Sequence, residues 1–524
     1  MLQHLAGSIF GFAKSMAEGE PASGKQGRGQ AFNLEHGGAF WVLVCLLLVA
    51  SFRLYSSRYI PTLNSDDALN VLMTRDYALP HDLYCWGQDR GGTLIPLMGQ
   101  LFYRVLHVPP IWSVSLGNYL LVVFGGIGIA RLFKHRASQL MFAFIWLLPP
   151  WWFVDALRFP FGVQYCLVGI ALWIIADLPL GKERPFRVQD HVRMFFFTLV
   201  SILAVWVSDL AGLTVVAAAV AWLLWRQRKG NRLLPRKEVL AWCIGGLFAG
   251  IAFLGYAKFH APSVTGSYPK INSPGELVGS LSTFIGSVAD LLLFRTGDPF
   301  MSVYSVLALL SLLVVGGRRV AKAARNTHSG FVSFFAIDAT LVLLAVWASR
   351  WAALNGLSRR YFIGVYLSVS VLVLLWNELS RSATGKFRPA AVLLWATVLA
   401  GAASGPLQMK FIWPGTLEPR VDVAAEFLRL GRIGLIGEYT NAFVACTPDP
   451  DRIAAIPHDK DDVKNFDLVP PVFDGRDLYV IGDMWLDNFP DTLWQFGHKL
   501  ARTGEPFNIA GCLVNQYVEV HPTH

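Results

Sequence analysis

Long apolar stretches, each close to the length of a membrane span, alternate with short polar segments through most of the chain. A membrane-spanning helix needs about 20 mostly apolar residues. The alternation therefore predicts a polytopic α-helical membrane protein with about eleven transmembrane helices. The predicted spans are 37–55, 111–133, 138–154, 160–178, 194–209, 211–225, 239–256, 299–317, 330–348, 361–378 and 389–405.

Three segments interrupt this alternation within the predicted membrane domain, 37–413. A polar, Gly-rich arm, 1–36, precedes the first span, and no short apolar region follows its charged start as it would in a cleavable signal. A long loop, 56–110, follows the first span and carries two predicted amphipathic, interfacial helices. The stretch 276–294 is apolar but contains two carboxylates, so we expect a surface-lying or re-entrant helix. If it crosses the bilayer, the C-terminus changes sides.

After the last span, residues 414–524 change character and predict a small α/β domain. The runs GLIGEY, AFVACTP, RIAAIP, DLYVIGD and NIAGCLVNQYVEV predict strands, and VDVAAEFLRLG and TLWQFGHKLAR predict helices. Cys446 and Cys512 lie in two of the predicted strands. Outside the cytoplasm such a pair can form a disulfide, but spacing alone leaves the pairing open.

Composition and charge agree with a membrane protein. Hydrophobic residues make up 54% of the chain and charged residues only 15%, which excludes an ordinary soluble enzyme. The net charge of +9 comes from short basic clusters between alternate spans, while 414–524 is acidic. This is the positive-inside pattern and not a nucleic-acid-binding face. It places the N-terminus in the cytoplasm and, with an odd number of spans, the C-terminal domain outside.

The first outer loop contains an acidic pair, Asp66-Asp67, shortly after the first span. One interpretation is a helix N-terminus, because Asn64 or Ser65 can cap a helix there and first-turn carboxylates favour the helix dipole. The other is a general base at the membrane surface, whose pKa the nearby low dielectric raises. Spacing alone favours the first interpretation.

The acidic pair, the two loop helices, the span number, an Arg/Tyr-rich late outer loop and the C-terminal domain together resemble the GT-C superfamily. These are membrane glycosyltransferases that use polyprenyl-phosphate-linked sugars, such as protein O-mannosyltransferases and lipid A aminoarabinose transferases. The resemblance implies an inverting transfer with Asp66 as the base and with Asp67 either supporting Asp66 or binding the acceptor. It also implies an acidic residue in the next outer turn, which matches Asp155.

A polyprenyl-phosphate donor requires cationic partners, and basic residues are few on the outer side. Arg90 lies beside a Gly-Gly pair, although a surface pair with Asp89 or Asp82 is equally compatible. Arg158 shares a turn with Asp155, and the two can pair at i and i+3.

Later outer segments contain four more donor-phosphate candidates: Lys258, Arg359, Arg360 and Tyr361. Lys258 follows a span directly and can alternatively reach lipid headgroups. The Arg/Tyr cluster resembles the GT-C donor-phosphate region, and aromatic residues at this depth also anchor helices in the interface.

The chain has no phosphate-binding P-loop, dinucleotide fingerprint or zinc-site spacing, so no cofactor is predicted; a divalent metal is chemically possible but not predicted. The expected partners are a polyprenyl-phosphate-sugar, a glycan, lipid or protein acceptor, and membrane lipids. The expected location is a bacterial inner membrane. Two rival functions stay open: a lipid-linked oligosaccharide polymerase or ligase, and a lipid flippase or transporter, although the chain shows no internal repeat.

Overall fold

A computed structural model describes residues 37–176, 178, 186–228, 237–261, 271–316, 328–382, 389–408 and 417–520. The N-terminal arm and most of four basic connecting loops lie outside these residues. Fifteen helices precede the C-terminal domain in the described residues: α1 Gly37–Tyr55, α2 Ser65–Asp76, α3 Leu94–Leu106, α4 Pro110–Ala130, α5 Arg136–Leu147, α6 Pro160–Ile175, α7 Val188–Val207, α8 Ala211–Arg228, α9 Lys237–Phe259, α10 Pro274–Leu292, α11 Pro299–Gly316, α12 His328–Ala348, α13 Arg350–Leu354, α14 Ile363–Ser382 and α15 Pro389–Gln408.

Each of the eleven predicted spans coincides with one of these helices. Eight described helices are long and apolar enough to cross a membrane on their own. The helix α5 is shorter and continues, after a 66° bend, into the turn Trp151–Arg158, which would make a ninth span. The helix α6 has only 16 residues, and α8 ends with two arginines. These three helices therefore account for the difference from eleven.

Small residues bring α4 and α6 into close contact and so fix the turn that precedes α6. A Cβ atom on Gly128 would lie 1.8 Å from the carbonyl oxygen of Gly169, which is closer than any side chain permits. Such small-residue contacts are the usual way in which membrane helices approach each other. The contact positions Trp151–Arg158, which carries two of the predicted site residues.

The first loop folds into α2 and α3, but α2 is not an interfacial helix as predicted. Its residues 67–69 and 71–74 are buried because the C-terminal domain covers the side that α3 and α4 leave free. Amphipathic periodicity cannot distinguish a lipid interface from a protein cover. The helix α3 is amphipathic, with Leu101 and Val105 exposed on its outer face.

The helix α10 confirms the prediction of a helix near 276–294. Most of its residues are exposed, and its N-terminal Glu276 forms an ion pair with Arg350, so it lies at the edge of the helix bundle. It is not among the eight helices that satisfy the span criteria. Its position relative to the bilayer stays a prediction.

The described part of the C-terminal domain contains three short α-helices and seven strands: α16 Arg420–Ala424, β1 Ile433–Gly437, α17 Tyr439–Ala445, β2 Ile453–Pro457, α18 Val469–Phe473, β3 Asp477–Gly482, β4 Thr492–Gln495, β5 His498–Arg502, β6 Phe507–Ile509 and β7 Cys512–Glu519. The strands form one mixed sheet in the order β2-β1-β3-β7-β5-β4, with β6 beside β7. The strands β2, β1 and β3 are parallel, and the remaining pairs are antiparallel.

Two predictions in this domain are wrong. The run AFVACTP forms α17 and not a strand, because two parallel strands need a crossover and a fully buried apolar run has no periodicity that separates helix from strand. The run TLWQFGHKLAR forms the β4–β5 hairpin and not a helix, because Phe496 and Gly497 both take positive φ in the turn.

Cys446 and Cys512 are not joined by a disulfide in the structure. Cys446 is buried at the end of α17, Cys512 begins β7, and both thiols are free.

The C-terminal domain packs directly on the first loop. Arg58 and Asp422 form an ion pair of 2.6 Å, and the Arg420 amide donates to the carbonyl of Ile60 at 3.2 Å. The two segments predicted to lie outside are therefore on the same side of the molecule.

Candidate active site

The N-terminus of α2 separates the acidic pair into two environments. Asn64 caps the helix: its Oδ1 accepts from the Asp67 amide at 3.0 Å, and Asp67 Oδ2 accepts from the Asn64 amide at 3.5 Å. Consecutive helical residues point about 100° apart. The Asp67 side chain therefore points into the protein, while the Asp66 side chain points towards the exposed surface. The capping interpretation is correct for Asp67, and it does not exclude a chemical role for Asp66.

Asp67 and Arg158 form a buried ion pair. Asp67 Oδ2 lies 3.0 Å from Arg158 Nη1, and the two side chains are 5% and 2% exposed. Burial raises the pKa of Asp67 to about 6, against the lowering effect of Arg158. The Nε and Nη2 atoms of Arg158 are buried without a hydrogen-bond partner in the described part of the chain. This pair connects the start of α2 to the turn before α6.

Asp66 pairs with an arginine from the late outer loop. Its Oδ2 lies 3.5 Å from Arg360 Nη1, and half of the Asp66 side chain is exposed. Arg360 lies over the rings of Phe159 and Tyr361, and its Nη2 donates to the Tyr361 hydroxyl at 3.3 Å. Burial raises the pKa of Asp66, while Arg360 and then Lys464 lower it. The result is an accessible carboxylate with a raised pKa beside a guanidinium.

Asp155 pairs with the neighbouring arginine of the same loop. Its Oδ2 lies 3.3 Å from Arg359 Nη2, and Arg359 also lies over the Trp151 ring. The local Asp155–Arg158 pair that the sequence allows is not formed. Each member instead pairs with a residue from another segment, Asp155 with Arg359 and Arg158 with Asp67.

The structure thus brings most of the predicted residues into one group, which we call the acid–arginine cluster. It consists of Asp66, Asp67, Asp155, Arg158, Arg359, Arg360 and Tyr361. No three His, Cys, Asp or Glu residues in the described part of the chain are arranged to hold a metal ion.

Arg90 and Lys258 lie in a second group. Lys258 Nζ lies 3.2 Å from Asp89 Oδ2 and above the Tyr84 ring, and Arg90 lies over Trp351. Neither of the Arg90 pairs considered from the sequence is formed. Asp89 contacts Lys258, and Asp82 accepts from the Ala78 amide and from Trp86.

A large apolar cavity begins beside the acid–arginine cluster. Its volume is about 980 Å³, and it is lined by α5, α10, α11, α12, α14 and α15. Arg359 and Ser358 line its polar end, and Val373, ten residues into α14, lines its apolar end. At 1.5 Å per residue the cavity follows α14 for about 15 Å. It therefore has the shape and polarity of a site for an extended apolar chain.

One solved structure matches almost the full length of the chain. This is the crystal structure of ArnT from Cupriavidus metallidurans bound to undecaprenyl phosphate, with a TM-score of 0.51 and 11% identity over 92% of this chain and 98% of that chain. The chain shares the overall fold of this ArnT structure. The predicted resemblance is confirmed at the level of the fold, as is the prediction of a polytopic helical membrane protein with a C-terminal domain that contains a sheet.

A second solved structure matches the chain with a lower TM-score. The apo oligosaccharyltransferase of Archaeoglobus fulgidus gives a TM-score of 0.46 and 10% identity, over 85% of this chain and 69% of that chain. No protein-family model and no curated protein sequence matches the chain.

The packing of the C-terminal domain on the first loop brings in one residue, Lys464, that sequence analysis missed. Lys464, from the C-terminal domain, lies against the first loop, where a Cβ atom on Gly87 would be 3.1 Å from its Cδ. Its ammonium lies 5.9 Å from the Tyr439 ring centroid and pairs with Asp462. Lys464 lowers the pKa of Asp66. The sequence around Lys464 contains no motif that indicates this contact, since it arises only when the two domains pack.

Proposed function

We propose that the chain is a membrane glycosyltransferase that transfers a sugar from a polyprenyl-phosphate donor to an acceptor hydroxyl. One observation carries the proposal. The half-exposed carboxylate of Asp66 contacts Arg360, and the adjacent residue Arg359 lines the polar end of the long apolar cavity. A carboxylate, two guanidinium groups and a long apolar cavity therefore lie next to one another.

The cavity suits the donor's lipid tail. A polyprenyl chain is apolar and extended, and the cavity follows α14 for about 15 Å from Arg359. Its lining includes Phe284 and Val288 from α10, so that helix forms one wall. With the tail in the cavity, the donor phosphate lies at the level of Arg359 and Arg360.

The basic groups divide into ligands and positioning residues. Arg359, Arg360 and Tyr361 are proposed to bind the donor phosphate, with guanidinium groups that match phosphate oxygens. Because Arg158 forms a buried ion pair with Asp67, it is proposed to position the start of α2. Arg90 and Lys258 are proposed as further phosphate ligands at the membrane surface.

The proposed reaction is a direct displacement. The acceptor oxygen attacks the anomeric carbon from the face opposite the phosphate, while Asp66 takes the hydroxyl proton. The bond between the anomeric carbon and the phosphate oxygen breaks, and the polyprenyl phosphate leaves with the electron pair. Arg359 and Arg360 stabilise the charge that develops on the phosphate. Attack from the opposite face inverts the anomeric centre, and Asp155 holds Arg359 in place.

We place the site on the outer side of a membrane, proposed to be a bacterial inner membrane. The positive-inside pattern puts the N-terminus in the cytoplasm. The contact between Arg58 and Asp422 keeps the C-terminal domain on the same side as the first loop, which supports our proposal that both lie outside. Residues 1–36 and 414–416 lie outside the described residues, so the proposed domain limits rest on sequence.

The function is tested by incubating the purified protein with a panel of polyprenyl-phosphate sugars and measuring release of polyprenyl phosphate. We expect turnover with at least one donor. In Ala308→Phe the new ring projects into the cavity and displaces part of the lipid chain. Loss of the contact made by about two methylene groups should lower kcat/KM for a long-chain donor about tenfold. A short-chain donor should be affected less.

The matched control is Leu309→Phe, which adds the same ring at the next, exposed position. Equal losses in the two variants, or equal losses with short and long donors, would contradict the cavity as the lipid site. No turnover with any donor would contradict the function.

The pH dependence of kcat/KM tests Lys464. If Asp66 is the base, the acidic limb of the profile reports its pKa in the free enzyme. Lys464→Met removes a charge that lowers this pKa, so the limb should move to higher pH. Lys460→Met removes an exposed lysine of the same domain and should leave the limb in place. If the acidic limb of the Lys464→Met profile does not move, Lys464 does not influence the pKa of the base.

A further inference from the structure

A second, smaller cavity lies where α2 meets the C-terminal domain. Its volume is about 250 Å³, and its lining includes three arginines, Arg75 from α2 and Arg432 and Arg476 from the C-terminal domain. One carboxylate, that of Asp451, also lines it. Arg75 is nine residues after Asp66, about 13 Å further along α2, so this cavity is distinct from the acid–arginine cluster.

The positive charge in this cavity is only partly compensated. Arg75 pairs with Asp76, lies 3.9 Å from Asp451 and donates to the Pro450 carbonyl. The Arg432 side chain is exposed and makes no hydrogen bond or ion pair within the described residues. The Nη groups of Arg476 donate to the carbonyls of Asp451 and Arg452 at 3.0 and 2.8 Å, while its buried Nε has no partner among the same residues. Arg432 and Arg476 therefore both present N–H donors to the cavity that have no acceptor among the described residues.

The arginines also repel one another. Burial, then Arg432 and Arg75, lower the pKa of Arg476. Like charges gathered at a domain interface oppose the contact between the domains, and a bound anion would offset this repulsion.

We propose that this cavity binds a phosphate-class oxyanion carried by a small ester or a lipid headgroup. Guanidinium groups present paired donors that match phosphate oxygens. Since a water occupies about 30 Å³ of liquid, the cavity has room for more than a free phosphate ion. The anion bridges α2 and the C-terminal domain and so holds the two parts together. This goes beyond the proposed transfer reaction.

The test measures thermal unfolding of the full-length protein in a zwitterionic detergent, with inorganic phosphate titrated against chloride at constant ionic strength. Phosphate is expected to raise Tm with saturation. Arg432→Gln should weaken the apparent affinity about tenfold through loss of one charge-assisted contact. Arg429→Gln removes an equally exposed arginine of the same domain outside the cavity lining, and should bind as the natural protein does.

A parallel titration with short-chain phosphatidic acid in mixed micelles separates the two sources of the anion. Stabilisation by the ester but not by inorganic phosphate, lost in Arg432→Gln, would support the site and assign it to an ester. No saturable stabilisation by either probe, or equal effects of Arg432→Gln and Arg429→Gln, would overturn it. Asp66→Asn should leave binding unchanged, so failure of this site and failure of the proposed reaction are distinguishable.

Discussion

Asp66→Asn is expected to lower kcat by at least about 10²-fold, and up to about 10⁴-fold, because a positioned general base contributes this much. The amide keeps the size and the exposed position of the carboxylate but cannot take the acceptor proton. Donor binding should change little, since the phosphate is assigned to the arginines and the lipid tail to the cavity beside Arg359. Turnover and the equilibrium binding of a donor are the two measurements.

Asp487→Asn is the matched control, because it removes an exposed carboxylate of the C-terminal domain. It should leave both quantities unchanged. Full sugar-transfer activity of Asp66→Asn would contradict Asp66 as the base. A flippase does not need this carboxylate, so unchanged lipid translocation by the variant would support the rival function as a flippase. Loss of donor binding together with turnover would instead assign Asp66 to substrate binding.

The membrane part of the fold was predictable because the bilayer imposes a length on every helix that crosses it. All eleven predicted spans are helices, including α5, whose apolar run continues through a 66° bend. The bend itself was not predictable, since it follows from how Trp151–Arg158 packs. The burial of α2 was also missed, because a cover supplied by the C-terminal domain leaves no signal in the first loop.

For the candidate site, the sequence identified residues but not their partners. Basic residues are few in the predicted outer loops and charges close to the bilayer are costly, so Arg360 and Asp155 stand out in the sequence, and Asp66 stands out in the acidic pair after the first span. Partner choice depends on distances between segments far apart in the chain. The i, i+3 rule favours an Asp155–Arg158 pair, but the fold offers each residue a better-placed partner across the site.

Arg158→Met is expected to destabilise the protein more at pH 7.5 than at pH 5. In the natural protein, Asp67 titrates with a pKa of about 6, above its ordinary value. A carboxyl with a raised folded-state pKa favours folding at acid pH, and this contribution is lost as the pH rises through about 6. Without Arg158 the pKa rises further, so at pH 7.5 Asp67 must keep its proton. The difference between pH 7.5 and 6 corresponds to about 2 kcal/mol of unfolding free energy.

The Asp67→Asn variants separate this titration from simple loss of packing. Asp67→Asn alone should reduce the dependence of unfolding free energy on pH between 5 and 7.5, because the contribution of this titrating group is gone. Adding Arg158→Met to it should then cost the same at both pH values, as any packing loss would. Reversible unfolding in detergent at the two pH values measures all four proteins. If Arg158→Met alone costs the same at both pH values, the two side chains are not coupled. The start of α2, and with it Asp66, would then be held by packing rather than by the buried ion pair.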